Sequence, residues 1–146
     1  MTVVVESSAG PYLKPLPTVT EANRPFFDAL AEHRFLVPKC ADCGDYNWVP
    51  YPACRTCLSE NQVWTEVSGE ATVFTYTVVH RGPGAIDADV PYVIALGKLS
   101  EQPRPCLVLG TLVGCDPAEV QVGLPIQIAY EDIPGEDITM WRWVRL

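Results

Sequence analysis

The chain has 146 residues, a hydrophobic fraction of 48% and a formal charge of −8, from 10 basic and 18 acidic residues. This size and composition indicate one ordinary globular domain, or one domain with a small satellite. The excess of acidic residues opposes nucleic-acid binding. The sequence contains no apolar segment long enough to cross a bilayer and no signal-like N-terminus. We therefore expect a soluble, cytoplasmic protein without a membrane partner.

Residues 1–35 are predicted to form an extended arm followed by one amphipathic helix. The first part contains proline breaks and no periodic pattern, whereas TEANRPFFDALAEHRF places apolar side chains at helical spacing. This helix either packs on the chain's own core or docks on a partner. In the second case we expect the docking residues to be Phe26, Phe27 and Leu30.

Residues 36–66 are predicted to form a zinc ribbon, because two CxxC pairs are separated by ten residues in KCADCGDYNWVPYPACRTC. The predicted metal ligands are Cys40, Cys43, Cys54 and Cys57. Four thiolates suit zinc first and iron second, and a closed shell of four ligands indicates a structural ion. The neighbouring Lys39 and Arg55 either relieve the negative charge of the thiolates or contact an anionic ligand.

Residues 67–146 are predicted to form a five-stranded OB-fold barrel. The predicted strands are GEATVFTYTVVHRG, YVIALGKLS, CLVLGTLVG, LPIQIAYED and ITMWRWVRL, with a short helix capped by Asp116 after the third. Unbroken alternation in the first strand places Val73 on one face and Tyr76 on the other. A small sandwich of unspecified topology is the alternative. The complete prediction is a mainly β fold with an N-terminal helix, a zinc ribbon and this barrel.

The remaining reactive side chains do not form a recognisable catalytic set. Cys106 and Cys115 are expected to be small core residues, and His33 is expected at the end of the helix. His80 ends the first barrel strand beside Arg81, where it is either simply exposed or lies at the mouth of a ligand site. Because no Ser/His/Asp order, P-loop or dinucleotide motif occurs, the sequence favours a binding surface and a non-catalytic subunit.

The order of these motifs resembles a known family. RPFFDAL, CADCG…YPACRTC, VSGEATVFTYTVVHR, PYVIALGKL and LVGCDPAEVQVGLPIQIAYE follow one another as in the zinc-ribbon/OB-fold family of acyl-CoA-associated proteins, the domain of unknown function 35 family. The resemblance extends from about Thr20 to Glu131. The chain departs from the simplest members in its acidic C-terminal end, EDIPGEDITMWRWVRL.

The resemblance implies an accessory role. Members are small partners of thiolase-fold enzymes, bridge a thiolase and hydroxymethylglutaryl-CoA synthase in archaea, or are fused to hydratases of steroid side-chain breakdown. In the steroid pathways the partner, which is lipid-transfer-protein-like, is an aldolase performing retro-aldol cleavage of a side-chain acyl-CoA. The resemblance therefore implies a hetero-oligomer, a heterotetramer, in which this chain stabilises the aldolase (a lyase) and helps to bind the acyl-CoA.

The expected acyl-CoA contacts combine residue chemistry with the family motif. Basic side chains can pair with the phosphates of CoA, and aromatic side chains can stack on its adenine. The residues expected to contact CoA are Lys39, Arg55, Tyr76, His80, Arg81 and Tyr92.

Two other functions remain open at the level of sequence. An OB barrel can bind single-stranded nucleic acid, for which aromatic and basic residues must alternate on its surface. The C-terminal WRWVR segment offers Trp141, Arg142, Trp143 and Arg145, but the charge of −8 opposes this function. A self-sufficient thioesterase is the weaker alternative.

Overall fold

The computed structural model describes residues 2–7, 10–84, 89–101, 104 and 106–146. In chain order its elements are β1 (Val3–Val4), α1 (Arg24–Ala31), β2 (Leu36–Cys40), β3 (Gln62–Glu66), β4 (Glu70–Val79), β5 (Tyr92–Leu99), β6 (Leu107–Val113), a 3₁₀ helix (Pro117–Glu119), β7 (Pro125–Asp132) and β8 (Thr139–Arg145). The predicted mainly β fold class is confirmed. None of the helices formed by the described residues reaches the length and hydropathy of a membrane-spanning segment.

Strands β4 to β8 pair in a closed circuit. β4 pairs with β5 and β5 with β6, both antiparallel, and β6 pairs with β8 in parallel. β8 then pairs with β7, and β7 returns to β4, again antiparallel. This is the strand order of an OB barrel, in which each strand has two neighbours along at least part of its length. The predicted link between the third and fourth strands is a 3₁₀ helix, capped by the Asp116 carboxylate, which accepts a hydrogen bond from the Ala118 amide at 2.9 Å.

The N-terminal arm extends the barrel wall. β4 pairs with the first residues of β7, from Pro125 to Gln127. Farther along β7, β1 pairs in parallel with Ala129 and Tyr130. The amide of Val5 continues this pairing with a 2.8 Å hydrogen bond to the carbonyl of Tyr130. The predicted extended arm therefore contains a short strand, which has too few residues to show a periodic pattern.

Strand β4 contains a β-bulge between Val73 and Thr75, which changes which residues point toward the barrel interior. Val73 is buried inside the barrel. Beyond the bulge, Tyr76 lies opposite the buried Ala95, so Tyr76 shares a face with Val73, although Tyr76 itself is 36% exposed. The prediction that Tyr76 and Val73 face opposite ways is wrong, because a bulge adds one residue and shifts the two-residue alternation.

An aromatic cluster joins the helix and the ribbon to the barrel. The ring centroid of Phe26 lies 4.9 Å from that of Trp48 in the ribbon and 5.3 Å from that of Trp141 in β8. Phe26 is 3% exposed and Leu30 is fully buried. The structure therefore places these two predicted docking residues in the chain's own core, where they hold α1 in place. Phe27 is half-buried at the edge of the cluster.

Candidate functional site

The four predicted metal ligands converge at the end of the β2–β3 hairpin. The Sγ atoms of Cys40 and Cys57 are 3.6 Å apart, as are those of Cys43 and Cys54. All four sulfur atoms lie within 4.8 Å of one another. Sulfur atoms bound to one tetrahedral zinc ion at about 2.3 Å lie about 3.8 Å apart. The arrangement therefore fits a structural zinc ion with a closed shell of thiolates.

Each CxxC pair lies in a tight turn that directs backbone amides toward sulfur. Gly44 has φ +80° and Leu58 has φ +64°, so both turns end in the left-handed region that glycine adopts readily. The pKa of the Cys54 thiol falls to about 6, because the Cys57 amide donates a hydrogen bond to its sulfur and the Thr56 amide adds a second. The amides of this turn thus favour the thiolate of Cys54, the form that binds metal.

Two buried polar residues, Asp45 and Asn47, support the second CxxC pair. The Asn47 side chain donates to the Cys54 sulfur at 3.5 Å and accepts from the Arg55 amide at 3.1 Å. The Asp45 carboxylate accepts from the Thr56 hydroxyl at 2.6 Å. Sequence reasoning missed these two residues. Their position directly after the first CxxC pair, in CGDYN, is the signal that could have found them.

The predicted CoA-contacting residues belong to two parts of the molecule. Lys39 lies on β2 with its ammonium 5.0 Å from the centre of the Tyr46 ring, and Arg55 is exposed between the last two cysteines. The other four residues belong to the β4–β5 hairpin. Tyr76 lies on β4, His80 and Arg81 are exposed directly after it, and Tyr92 begins β5.

A cavity of about 550 Å³ lies between the N-terminal arm and the outer surface of the barrel. Its lining includes Tyr12, Lys14, Tyr92, Thr111, Glu131 and Arg142. Sequence reasoning singled out Tyr92 as a ligand contact, but it did not predict the cavity. The arm has no periodic pattern, and nothing in its residues indicates which strands it covers.

Most of the aromatic and basic residues considered for nucleic-acid binding are not available on the surface. Trp143 is fully buried inside the barrel. Arg142 forms a buried ion pair with Glu131, with Nη2 2.5 Å from the carboxylate oxygen. Trp141 packs in the aromatic cluster, so only Arg145 of the four residues is exposed. The alternating aromatic and basic surface that the nucleic-acid alternative requires is therefore not formed by these four residues, because alternate residues of β8 face the barrel interior.

Comparison with known proteins identifies the ribbon and most of the barrel. Residues 27–62 match the family described as "ChsH2, rubredoxin-like zinc ribbon domain". Residues 64–131 match "ChsH2, C-terminal OB-fold domain". A "DUF35 domain-containing scaffold protein" of Methanocaldococcus jannaschii is 30% identical over 102 residues, which are 68% of this chain and 70% of that protein. The chain belongs to the DUF35 family.

Two longer relatives of this DUF35 chain are named as hydratase subunits. A "Probable enoyl-CoA hydratase alpha subunit" of Thermomonospora curvata is 32% identical over 85% of the chain. The "3-oxo-4,17-pregnadiene-20-carboxyl-CoA hydratase alpha subunit" of Mycobacterium tuberculosis is 36% identical over 80% of it. The chain spans only 38% and 36% of the lengths of these two proteins.

Solved structures contain the same DUF35 fold. The "Ltp2-ChsH2(DUF35) aldolase" matches with a TM-score of 0.75 and 26% identity, covering 89% of this chain and 98% of the solved one. A DUF35 protein of unknown function from Sulfolobus solfataricus matches with a TM-score of 0.60 and 20% identity, covering 86% of each chain. The second likeness concerns the fold alone.

Proposed function

We propose that this DUF35 chain is a non-catalytic subunit of an aldolase complex. It docks on a thiolase-fold, lipid-transfer-protein-like enzyme, stabilises it and helps to bind a steroid side-chain acyl-CoA that the enzyme cleaves by a retro-aldol reaction. The observation that carries the proposal is the likeness to the Ltp2-ChsH2(DUF35) aldolase, which covers nearly the whole of both chains. The mycobacterial hydratase subunit, whose name specifies a pregnadiene carboxyl-CoA, supports the steroid substrate class.

In this proposal, the chain contributes a rigid surface. Closed thiolate coordination and a closed circuit of paired strands hold exposed side chains in fixed positions at little entropic cost on association. Of the three predicted docking residues, Phe27 alone is not fully buried, so it is the one we assign to partner contact. The exposed cations Arg55 and Arg81 are assigned to the phosphates of CoA, which they can bind through charge-assisted hydrogen bonds.

A scaffold that bridges a thiolase and hydroxymethylglutaryl-CoA synthase is the second candidate. It is favoured by the scaffold proteins of Methanocaldococcus jannaschii and Methanothermobacter thermautotrophicus, of which the chain covers 70% and 90%. The two functions differ in the partner, because a scaffold must bind two enzymes at once. Binding of both enzymes by the purified chain would favour the second candidate.

The test is reconstitution of the complex with a lipid-transfer-protein-like thiolase-fold subunit from the same organism. We expect light scattering after size-exclusion chromatography to give the mass of a heterotetramer. We also expect cleavage of a steroid side-chain acyl-CoA only when both chains are present. Phe27→Ala should weaken association at least about tenfold, whereas Asp28→Ala, at the exposed neighbouring position, should not. A chain that stays separate from this subunit, or that cleaves the substrate alone, would contradict the proposal.

A further inference from the structure

We propose that the cavity beneath the N-terminal arm binds the uncharged end of an acyl-CoA thioester, namely its pantetheine and acyl group. The identity of the ligand rests on the proposed function, whereas the site itself rests on the structure. The cavity measures about 550 Å³, within the range of about 300–1,000 Å³ typical of small-molecule sites.

The floor of the cavity is the outer face of β5 and β6. Val93 of β5 and Leu112 of β6 lie opposite each other and are buried inside the barrel. Because successive residues of a strand point to opposite faces, the neighbouring side chains of Ile94, Thr111 and Val113 point outward, and all three line the cavity. Two apolar side chains and one hydroxyl group therefore face the ligand on this side.

The arm provides the opposite wall and is anchored at both ends of the cavity. β1 holds the beginning of the arm against β7. Farther along, the Lys14 ammonium lies 2.7 Å from the Asp89 carboxylate. Between these points, the Tyr12 hydroxyl accepts a hydrogen bond of 3.4 Å from Arg142. Held at these points, the described residues of the arm border the cavity without filling it.

The charges around the cavity select an uncharged ligand. The lining contains two cations, Lys14 and Arg142, and three anions, Glu6, Asp89 and Glu131. Both cations are already paired, Lys14 with Asp89 and Arg142 with Glu131. A phosphate group here would meet a net negative lining and would have to displace a carboxylate from a cation, which costs desolvation and Coulomb energy. Pantetheine avoids this cost, because its amide and hydroxyl groups are neutral.

Apolar walls and polar groups together match the pantetheine and acyl group. The hydrocarbon parts of the acyl-pantetheine can pack on Ile94 and Val113. The amide groups of pantetheine can form hydrogen bonds with the hydroxyl groups of Thr111 and Tyr12. The nucleotide of the same CoA molecule would then lie outside the cavity. Tyr92 lines the cavity and begins β5 at the end of the β4–β5 hairpin that also carries Arg81. One ligand could thus place its uncharged end in the cavity and its phosphates near Arg81.

The test uses the zinc-loaded full chain and hexanoyl-pantetheine, a probe without phosphates. We expect calorimetric binding, and slower alkylation of Cys115 by iodoacetamide, because Cys115 lines the cavity. Cys106 does not interfere, since burial raises its pKa to about 11. Thr111→Trp fills the cavity and should weaken binding at least about tenfold, whereas Thr72→Trp, at an exposed position of β4, should not.

Adenosine 3′,5′-bisphosphate, which represents the nucleotide part of CoA, is tested in the same alkylation experiment. It should leave the alkylation rate of Cys115 unchanged. Protection of Cys115 by this nucleotide but not by hexanoyl-pantetheine would overturn the inference. So would equal binding of hexanoyl-pantetheine by the Thr111→Trp and unsubstituted chains. Protection in the unsubstituted chain is decisive even if Thr111→Trp does not fold. Assembly with the thiolase-fold subunit is measured separately, so a failed cavity and a failed proposed function give different results.

Discussion

At the scale of single residues, the buried pair of Arg142 and Glu131 links β8 to β7 on the outer face of the barrel. Their side chains are 11% and 8% exposed, and the charged atoms are 2.5 Å apart. An ion pair taken out of water contributes little net stability by itself, but removal of one partner leaves an uncompensated charge. The pair between Arg145 and Glu119 provides a contrast, since its side chains are 53% and 60% exposed.

We expect Arg142→Met to lower the free energy of unfolding by about 3 kcal/mol, because it leaves Glu131 buried and unpaired. The double variant Arg142→Met with Glu131→Met should recover most of this loss. Arg145→Met, the control at the exposed pair, should change stability by less than about 1 kcal/mol. Urea denaturation measures all three variants. Equal losses for the single and double variants would show that packing of the Arg142 side chain matters more than its charge.

His33 connects the end of α1 to the barrel. The sequence predicts His33 at the end of the helix, but α1 ends at Ala31. His33 instead has φ +54° and places Nε2 3.0 Å from both carboxylate oxygens of Asp132. The Thr139 hydroxyl donates to the same carboxylate at 2.6 Å. The Thr139 hydrogen bond, and after it the His33 contact, lowers the pKa of Asp132.

The lowered pKa of Asp132 predicts a pH dependence. Because the folded-state pKa lies below the unfolded one, the ionised carboxylate stabilises the fold above the unfolded value of about 3.9. This contribution is lost as the pH falls through the folded-state pKa. Asp132→Asn should therefore lower stability at pH 7 by at most about 1 kcal/mol, since the carboxylate is half exposed. In urea denaturation, a difference that persists undiminished at the lowest pH would contradict the assignment, and Asp28→Asn provides the charge-matched control.

At the scale of elements, the barrel interior is organised around one large side chain. Trp143 of β8 is fully buried and lies across Gly97 of β5 and Gly110 of β6. A Cβ atom added at Gly97 would lie 2.2 Å from Cζ2 of Trp143, and one at Gly110 would lie 2.9 Å from its Cδ1. Position 97 requires glycine because the indole ring of Trp143 approaches it closely, and not because of the backbone conformation of Gly97.

Gly97→Ala should destabilise the barrel by about 2–3 kcal/mol, because the added methyl group overlaps the Trp143 ring and a packed core relaxes poorly. Trp143→Leu creates space beside Gly97, so the same glycine substitution should cost less in that background. Thermal unfolding of the unsubstituted chain, the two single variants and the double variant gives the coupling free energy between positions 97 and 143. Additive effects would mean that the indole ring moves away from Gly97 without cost.

At the scale of the whole molecule, the metal site and the barrel are joined through the aromatic cluster. Phe26 packs on Trp48 from the ribbon and on Trp141 from the barrel. Trp48 also contacts Trp141 directly, with ring centroids 5.6 Å apart. Because the ribbon has only the β2–β3 pair as regular structure, it depends on the metal and on this contact for its stability.

Removal of zinc by a chelator should unfold the ribbon while the barrel remains folded. In hydrogen exchange, we expect the amides of β2 and β3 to lose protection and those of β5 and β6 to keep it. Cys54→Ser should have the same effect and abolish zinc binding, whereas Cys115→Ser should retain one zinc ion per chain by elemental analysis. Loss of protection throughout the barrel would instead mean that ribbon and barrel unfold as one cooperative unit.

The amino-acid sequence by itself determined the metal ligands of this protein and the order of its helix, its ribbon and its five barrel strands. The CxxC spacing brings each pair of sulfur atoms together within one turn. The strand pattern likewise depends on near neighbours in the chain. Asp116 is a capping residue two positions before the amide it binds. All of these features follow from short-range geometry, which a sequence displays directly.

Only the tertiary structure decided which side chains are available for binding. The bulge in β4 turned Tyr76 to the face that Val73 occupies, where it stays 36% exposed, and the aromatic cluster buried Phe26. The cavity requires the arm to lie across β5 and β6, and its buried charges pair Glu131 with Arg142. These outcomes depend on contacts between residues distant in the chain, where packing energy selects among alternatives that local patterns leave equivalent.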